Sequence, residues 1–282
     1  TSPHGLREEE KSWKEGRVHC EVRMLKTITV HSFKGGTGKS FIATNLAVLY
    51  SLEGLNTCLI DMDFRAPSLY VAFQPKEVKR WFNDYLDGRC KPDEVLVDVT
   101  GKIGAKAKLC VAFANPSPAA IKEMMAKSMG WEREALRRLL DFTRWAEAQG
   151  FERCIIDTGP GYLYSSVNAL VASDIAMLVM TTDDSDIEGA RQMLGELYKL
   201  LERRIAIVLN KVVSVDRRME ELVDDIERKL GETVTGVIRC SCDAVAQSRR
   251  LIYVIERPEH MVSIDLKNLA DKLRACLLYT SD

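Results

Sequence analysis

Residues 31–40 read HSFKGGTGKS. An apolar run, LKTITVHSF (25–33), leads into this stretch. A helical pattern leaves it, with Phe41, Ile42, Leu46, Leu49 and Tyr50 on one face and Gly54 placed to end the helix. Strand, glycine-rich loop and helix make the setting in which backbone N–H groups turn inward on phosphate oxygens. Gly35, Gly36 and Gly38 allow that turn without Cβ clashes, and the helix start behind them favours negative charge. Lys39 is expected to meet the β- and γ-phosphates of a nucleotide, and the Ser40 hydroxyl to ligate Mg2+. The usual pattern is G-x-x-x-x-G-K-[ST]. Its first glycine is replaced here by Phe33, and a second lysine, Lys34, opens the loop.

Working outward, strand-like apolar runs at 25–33, 56–61, 108–113, 153–157, 174–181, 204–210 and 234–238 alternate with helical patterns. Residues 131–149 and 216–230 read as amphipathic helices. Another helix is expected to open at Ser185, with Glu188 at capping-box spacing and Ile187, Ala190, Leu194, Leu197 and Leu201 along one face. Such alternation predicts a three-layer α/β fold, a mostly parallel sheet flanked by helices, with ligands bound beyond the carboxyl ends of the strands. One domain over 24–276 is expected. The charged, aperiodic segment 1–23 reads as a disordered or non-native leader, and 277–282 as a tail of no assigned structure.

Across 282 residues, 40 Lys+Arg stand against 41 Asp+Glu, so no bulk charge draws the chain to nucleic acid or anionic membrane. The 8 cysteines are scattered, several in apolar runs such as TCLID and ERCIID, where a thiol packs as a small hydrophobe. With no secretory signal and no long uncharged apolar run, a reducing, cytoplasmic setting is expected.

CLIDMDFRAPSL (58–69) holds Asp61 and Asp63 two residues apart, on the same side if the strand persists. Paired carboxylates at a strand's carboxyl end suit Mg2+ and water handling. RCIIDTGPG (153–161) puts Asp157 after another apolar strand. AIVLNKVV (206–213) ends in Asn210 and Lys211, and an amide can both donate to and accept from an adenine edge. Guanine recognition usually calls for N-K-x-D, whereas Val212, Val213 and Ser214 follow Lys211, which favours ATP.

KGGTGKS resembles the deviant Walker A loop of the ParA/MinD superfamily, whose relatives include the nitrogenase iron protein and Mrp-type iron–sulfur carriers. The resemblance runs over 24–265 and is nearest in feel to the archaeal MinD-like proteins. It implies a P-loop NTPase of the SIMIBI class that binds ATP and Mg2+ and hydrolyses ATP slowly. It also implies a homodimer closed face to face over two nucleotides, an activating partner protein, and a role in spatial positioning or partitioning of cargo. Lys34 would then reach the phosphates of the other subunit, as an arginine finger does.

The same resemblance assigns nucleotide contacts to Gly35, Gly36, Thr37, Gly38, Lys39, Ser40 and Phe41, and base contacts to Asn210 and Lys211. Asp61–Ser68 matches the D-x-D-x-x-x-P-S switch pattern, in which Asp63 positions the attacking water. Asp61 becomes a structural or metal-shell partner, and Asp157 holds Mg2+ through water. Two departures stand out. Proline in D-T-G-P-G falls one position later than in the family's D-x-P-x-G, and Arg239 replaces a usual proline.

Other readings remain open at this level. LIDMDFR also fits the D-x-D-x-R of bacterial tyrosine kinases, although those usually lack a Lys34 equivalent and end in a tyrosine cluster, where this chain has only Tyr279 after Tyr253. An iron–sulfur carrier would need more than the C-x-C of Cys240 and Cys242, which supplies half a tetrahedral site unless a symmetric dimer doubles it. A membrane surface would use the final helix, but Ile264, Leu266, Leu269, Leu273, Leu277 and Leu278 are expected to pack on the domain. DNA would use arginine pairs such as Arg203/Arg204 and Arg249/Arg250.

Overall fold

Both faces of a parallel sheet are covered by helices, so its strands read as unbroken apolar runs rather than alternating ones. Among the described residues eight strands form one sheet in the order β3-β4-β2-β5-β1-β6-β7-β8. They are β1 (Lys26–His31), β2 (Thr57–Met62), β3 (Leu96–Asp98), β4 (Leu109–Ala112), β5 (Arg153–Thr158), β6 (Ile175–Met180), β7 (Arg204–Val212) and β8 (Val234–Arg239). All neighbours are parallel except β3 and β4. The computed structural model describes residues 25–201, 203–213, 219–242 and 252–278. The expected leader over 1–23, the end of the tail, and Arg249 and Arg250 lie outside these residues.

On one face, helix Lys39–Leu52 packs with helix Met261–Leu278 through Leu46, Leu49, Leu266, Leu269 and Leu273, all buried against β1, β2 and β4. The final helix therefore spends Leu266, Leu269 and Leu273 on the core as expected, whereas Ile264 is exposed rather than packed. On the other face Leu139 and Phe142 of helix Met129–Ala148 cover Cys58, Ile60, Cys110, Cys154 and Ile156. Helices Asp184–Met193 and Met219–Leu230 cover β6 and β7.

Three local expectations are corrected. β3 was not expected: it has three residues, lies antiparallel at the sheet edge and is only half buried, so it leaves no apolar run to read. The helix near 185 is capped by Asp183, whose side chain accepts from the Ser185 and Asp186 N–H groups, rather than by Ser185. β2 ends at Met62, so Asp61 and Asp63 do not share a strand face.

Candidate functional site

The carboxyl ends of β1, β2, β5 and β7 gather the predicted residues. β1 delivers the loop 33–38, and Gly38 sits at φ +99°, a left-handed conformation at the start of the first helix. A Cβ there would lie 2.2 Å from Asn210 Nδ2, so glycine is required by backbone and neighbour alike. Asn210 Nδ2 donates to the Thr37 carbonyl at 2.7 Å, and Lys211 Nζ to the Gly36 carbonyl at 2.6 Å. Lys211 holds φ +59°, a left-handed conformation costly for a lysine, at a register shift inside β7 between Leu209 and Val212. These two bonds fasten the loop to β7.

The two lysines have different surroundings. Lys39 is 6% exposed, and its Nζ donates to Ser32 Oγ at 2.8 Å. Burial lowers its pKa, while Asp157, Asp63 and Asp186 pull the other way. Lys34 points outward, its side chain 40% exposed, and donates to Asp183 Oδ1 at 2.8 Å and to Ser185 Oγ. Phe33 occupies the place of the missing glycine. Its ring lies on Gly189 of helix Asp184–Met193, where a Cβ would fall 2.0 Å from it.

Asp157 pairs with Asp61 in the β2–β5 register. Both are fully buried. No donor meets either Asp157 oxygen with hydrogen-bond geometry. Burial pushes this carboxyl up to about 7, although the nearby Ser40 hydroxyl and Lys39 favour the anion. An orphaned buried carboxylate beside a hydroxyl fits Mg2+, which takes few protein oxygens and fills its shell with water and phosphate. Asp61 differs: its two oxygens accept from the Asp63 and Leu69 N–H groups at 3.1 and 3.3 Å, which favours the structural of its two expected roles. Burial and the neighbouring Asp157 and Asp63 hold its pKa well above the usual range.

Asp63 is half buried, and its Oδ1 accepts from Ala66 N–H at 3.1 Å. Gly159, after β5, approaches it so closely that a Cβ there would lie 3.2 Å from Asp63 Oδ1. A cavity of about 540 Å³ opens beside Ser40 and Phe41, lined also by Thr44, Pro67, Ser68 and Ile121. Arg239 sits apart from the loop and closes on Asp265, Nε to Oδ2 at 2.9 Å and Nη2 to Oδ1 at 2.8 Å, tying β8 to the final helix.

Cys240 is half buried and Cys242 exposed. Among the described residues no group of three or more His, Cys, Asp or Glu is arranged to hold a metal. Nor is any helix there long and apolar enough to cross a membrane. Arg203 donates to the Val171 carbonyl at 3.0 Å.

Four participants were missed from sequence: Ser32, His31, Asp183 and Tyr198. His31 alone left a signal, a polar imidazole closing an apolar strand immediately before the loop. Ser32 lies beside it at the head of the loop, and Asp183 and Tyr198 are brought in by the sheet order.

Comparison with known proteins places this geometry among relatives. The model of the CobQ/CobB/MinD/ParA nucleotide binding domain matches residues 28–250. The septum site-determining protein MinD of Thermotoga maritima is 26% identical over 258 residues, 89% of either chain. The tyrosine-protein kinase CpsD of Streptococcus pneumoniae is 28% identical over 198 residues, 68% of this chain and 79% of its own. The solved structure of MinD from Pyrococcus horikoshii, complexed with Mg-ADP, superposes with a TM-score of 0.69 at 18% identity, covering 90% of this chain and 98% of that one.

Proposed function

The chain belongs to the CobQ/CobB/MinD/ParA nucleotide-binding family, and from that premise we propose that it is a Mg·ATP-dependent ATPase that works as a dimerising switch. The observation that carries this reading is the split between the lysines: Lys39 buried inside its own loop, Lys34 on the rim and turned away from it. A cation on the rim, once released from Asp183, is free to serve a facing copy. Lys39 and the N–H groups of Gly35, Gly36, Thr37 and Gly38 hold the phosphates, with Ser40 and Phe41 at the helix start. Asn210 commits its NH2 to Thr37, leaving its carbonyl oxygen to accept from the exocyclic amine of adenine.

Ser40 and Asp157 would hold Mg2+, which neutralises charge on the transferred phosphoryl group when bound. Asp63 holds and orients the attacking water, its carboxylate steered by the Ala66 N–H and set against Gly159. Asp61 keeps that segment in place through Asp63 and Leu69. Turnover is slow and raised by a partner protein.

The test is the solution mass of the full chain with ADP and with Mg·ATP, using Asp63→Ala to block turnover. A shift from monomer to dimer only with ATP is the expected result. A constant mass in both would remove the switch while leaving an ATP site. The similarity to CpsD keeps one rival in play, a tyrosine kinase using Asp61, Asp63 and Arg65. Transfer of label from γ-labelled ATP to protein tyrosine, rather than release as phosphate, would favour it.

A further inference from the structure

One helical segment touches the phosphate loop, the segment after β5 and the end of β1 at four places. It begins as helix Asp184–Met193, passes through a π-helical stretch, Leu194–Tyr198, and runs on through Lys199–Leu201. Asp183 and Ser185 at its start hold Lys34, and Gly189 receives the Phe33 ring. In the π stretch, Glu196 accepts from the Tyr162 hydroxyl at 3.4 Å, and the Tyr198 hydroxyl meets His31 Nδ1 at 3.0 Å. His31 Nε2 lies 2.8 Å from the Gly161 carbonyl.

Chemistry fixes the protons in this chain. A carbonyl oxygen only accepts, so Nε2 carries the hydrogen. In the neutral ring Nδ1 is then bare, and Tyr198 must donate to it. Full burial keeps the ring neutral, with its pKa lowered to about 4. Gly161 is held at both its polar groups, because its N–H also donates to the Ser32 carbonyl at 2.8 Å. It does so at φ +73°, a backbone conformation suited to glycine. The extra residue of a π turn offsets later side chains by about 100° around the helix axis, which sets where Tyr198 points.

We propose that Tyr198 and His31 form a positioning relay that sets Gly161 against the phosphate loop and links it to the π-helical stretch. The proposal rests on the ATPase reading of the site. His31 is a positioning residue: it acts on the reacting groups only through Gly161 and the segment Gly161 begins. A partner that displaces the helix would reach the hydrolysis step through this chain of two hydrogen bonds, separately from the Lys34 contact.

Tyr198→Phe tests it, since only a hydroxyl is lost from a packed ring. His31→Gln and the double variant complete a cycle, all in the full chain. Tyr198→Phe is expected to lower kcat about three- to tenfold, the scale of one lost hydrogen bond, with KM for ATP within about twofold. Amide exchange over 159–163 should quicken, and the double variant should be no slower than the slower single. Unchanged kcat, a loss confined to KM, or additive losses would overturn the relay. Should the wild-type chain fail to hydrolyse ATP, the ATPase reading falls, and exchange decides alone: faster over 159–163 in Tyr198→Phe supports the relay, identical exchange sinks it.

Discussion

Lys34 and Asp183, 149 residues apart, meet through Nζ and Oδ1 at 2.8 Å. The contact turns the lysine that opens the phosphate loop toward the start of helix Asp184–Met193 in its own chain. Asp183 also caps that helix, and the lysine and its capping bonds hold its carboxyl well below the usual range. A lysine destined for a facing subunit must first leave this partner.

Asp183→Asn keeps a good capping side chain and removes the charge. Dimerisation with Mg·ATP should strengthen about two- to fivefold, the scale of an exposed ion pair. Sedimentation over a concentration series reads it, and a weaker dimer would show that Asp183 works in the closed state instead.

Lys39→Ala should abolish nucleotide binding, because the residue lies within the loop among three carboxylates. Lys34→Ala should bind ADP with wild-type affinity yet lose both ATP-dependent dimerisation and hydrolysis. A fluorescent ADP analogue separates the two, and equal loss of binding in both would remove the role across the interface.

Gly189→Ala should harm a helix that alanine normally helps. The propensity gain is about 1 kcal/mol, but a Cβ would lie 2.0 Å from the Phe33 ring, and overpacking costs about 1–3 kcal/mol. Urea unfolding should show a net loss in Gly189→Ala that Phe33→Ala reverses in the double variant. No loss in the single variant would mean the ring moves aside freely.

Acid stability carries opposed contributions, among them those of His31 and Asp157. The unfolded His31 binds a proton near 6.5, but in the fold only near 4, chiefly because it is buried. Its contribution is therefore complete above pH 6.5 and is lost as pH falls toward 4. Asp157, raised to about 7 by burial, holds a proton in the fold that the unfolded chain has released, so it favours the fold toward acid. Without nucleotide or Mg2+, His31→Gln should gain on wild type by about 2 kcal/mol between pH 7 and pH 5. Denaturation curves that stay parallel across that window would mean His31 is not held neutral.

Much of the site was legible because its chemistry is local. Gly35 to Ser40 are contiguous, and apolar runs announced Asp157 and Asn210 by ending just before them. Most strands that could be read are buried on both faces, while β8, half buried at the other edge, was read from its valines and isoleucine. β3 could not, since three half-exposed residues at an edge carry no periodic signal. The cap at Asp183 was misplaced by two residues because Ser185 offers the same spacing to Glu188, and only the backbone decides which oxygen faces the free N–H groups.

The parallel sheet, the phosphate loop and the chemical kind of each residue around it are legible in the linear chain. Those follow from short-range rules: apolar period, glycine freedom and helix starts act within a few residues. Which distant groups meet depends on how the strands are ordered in space. β6 lies beside β1 in the sheet, so the loop that follows it brings Asp183 to Lys34, and the helix beyond carries Gly189 to Phe33 and Tyr198 to His31. Strand order is set by packing the whole chain at once, and no local pattern encodes it.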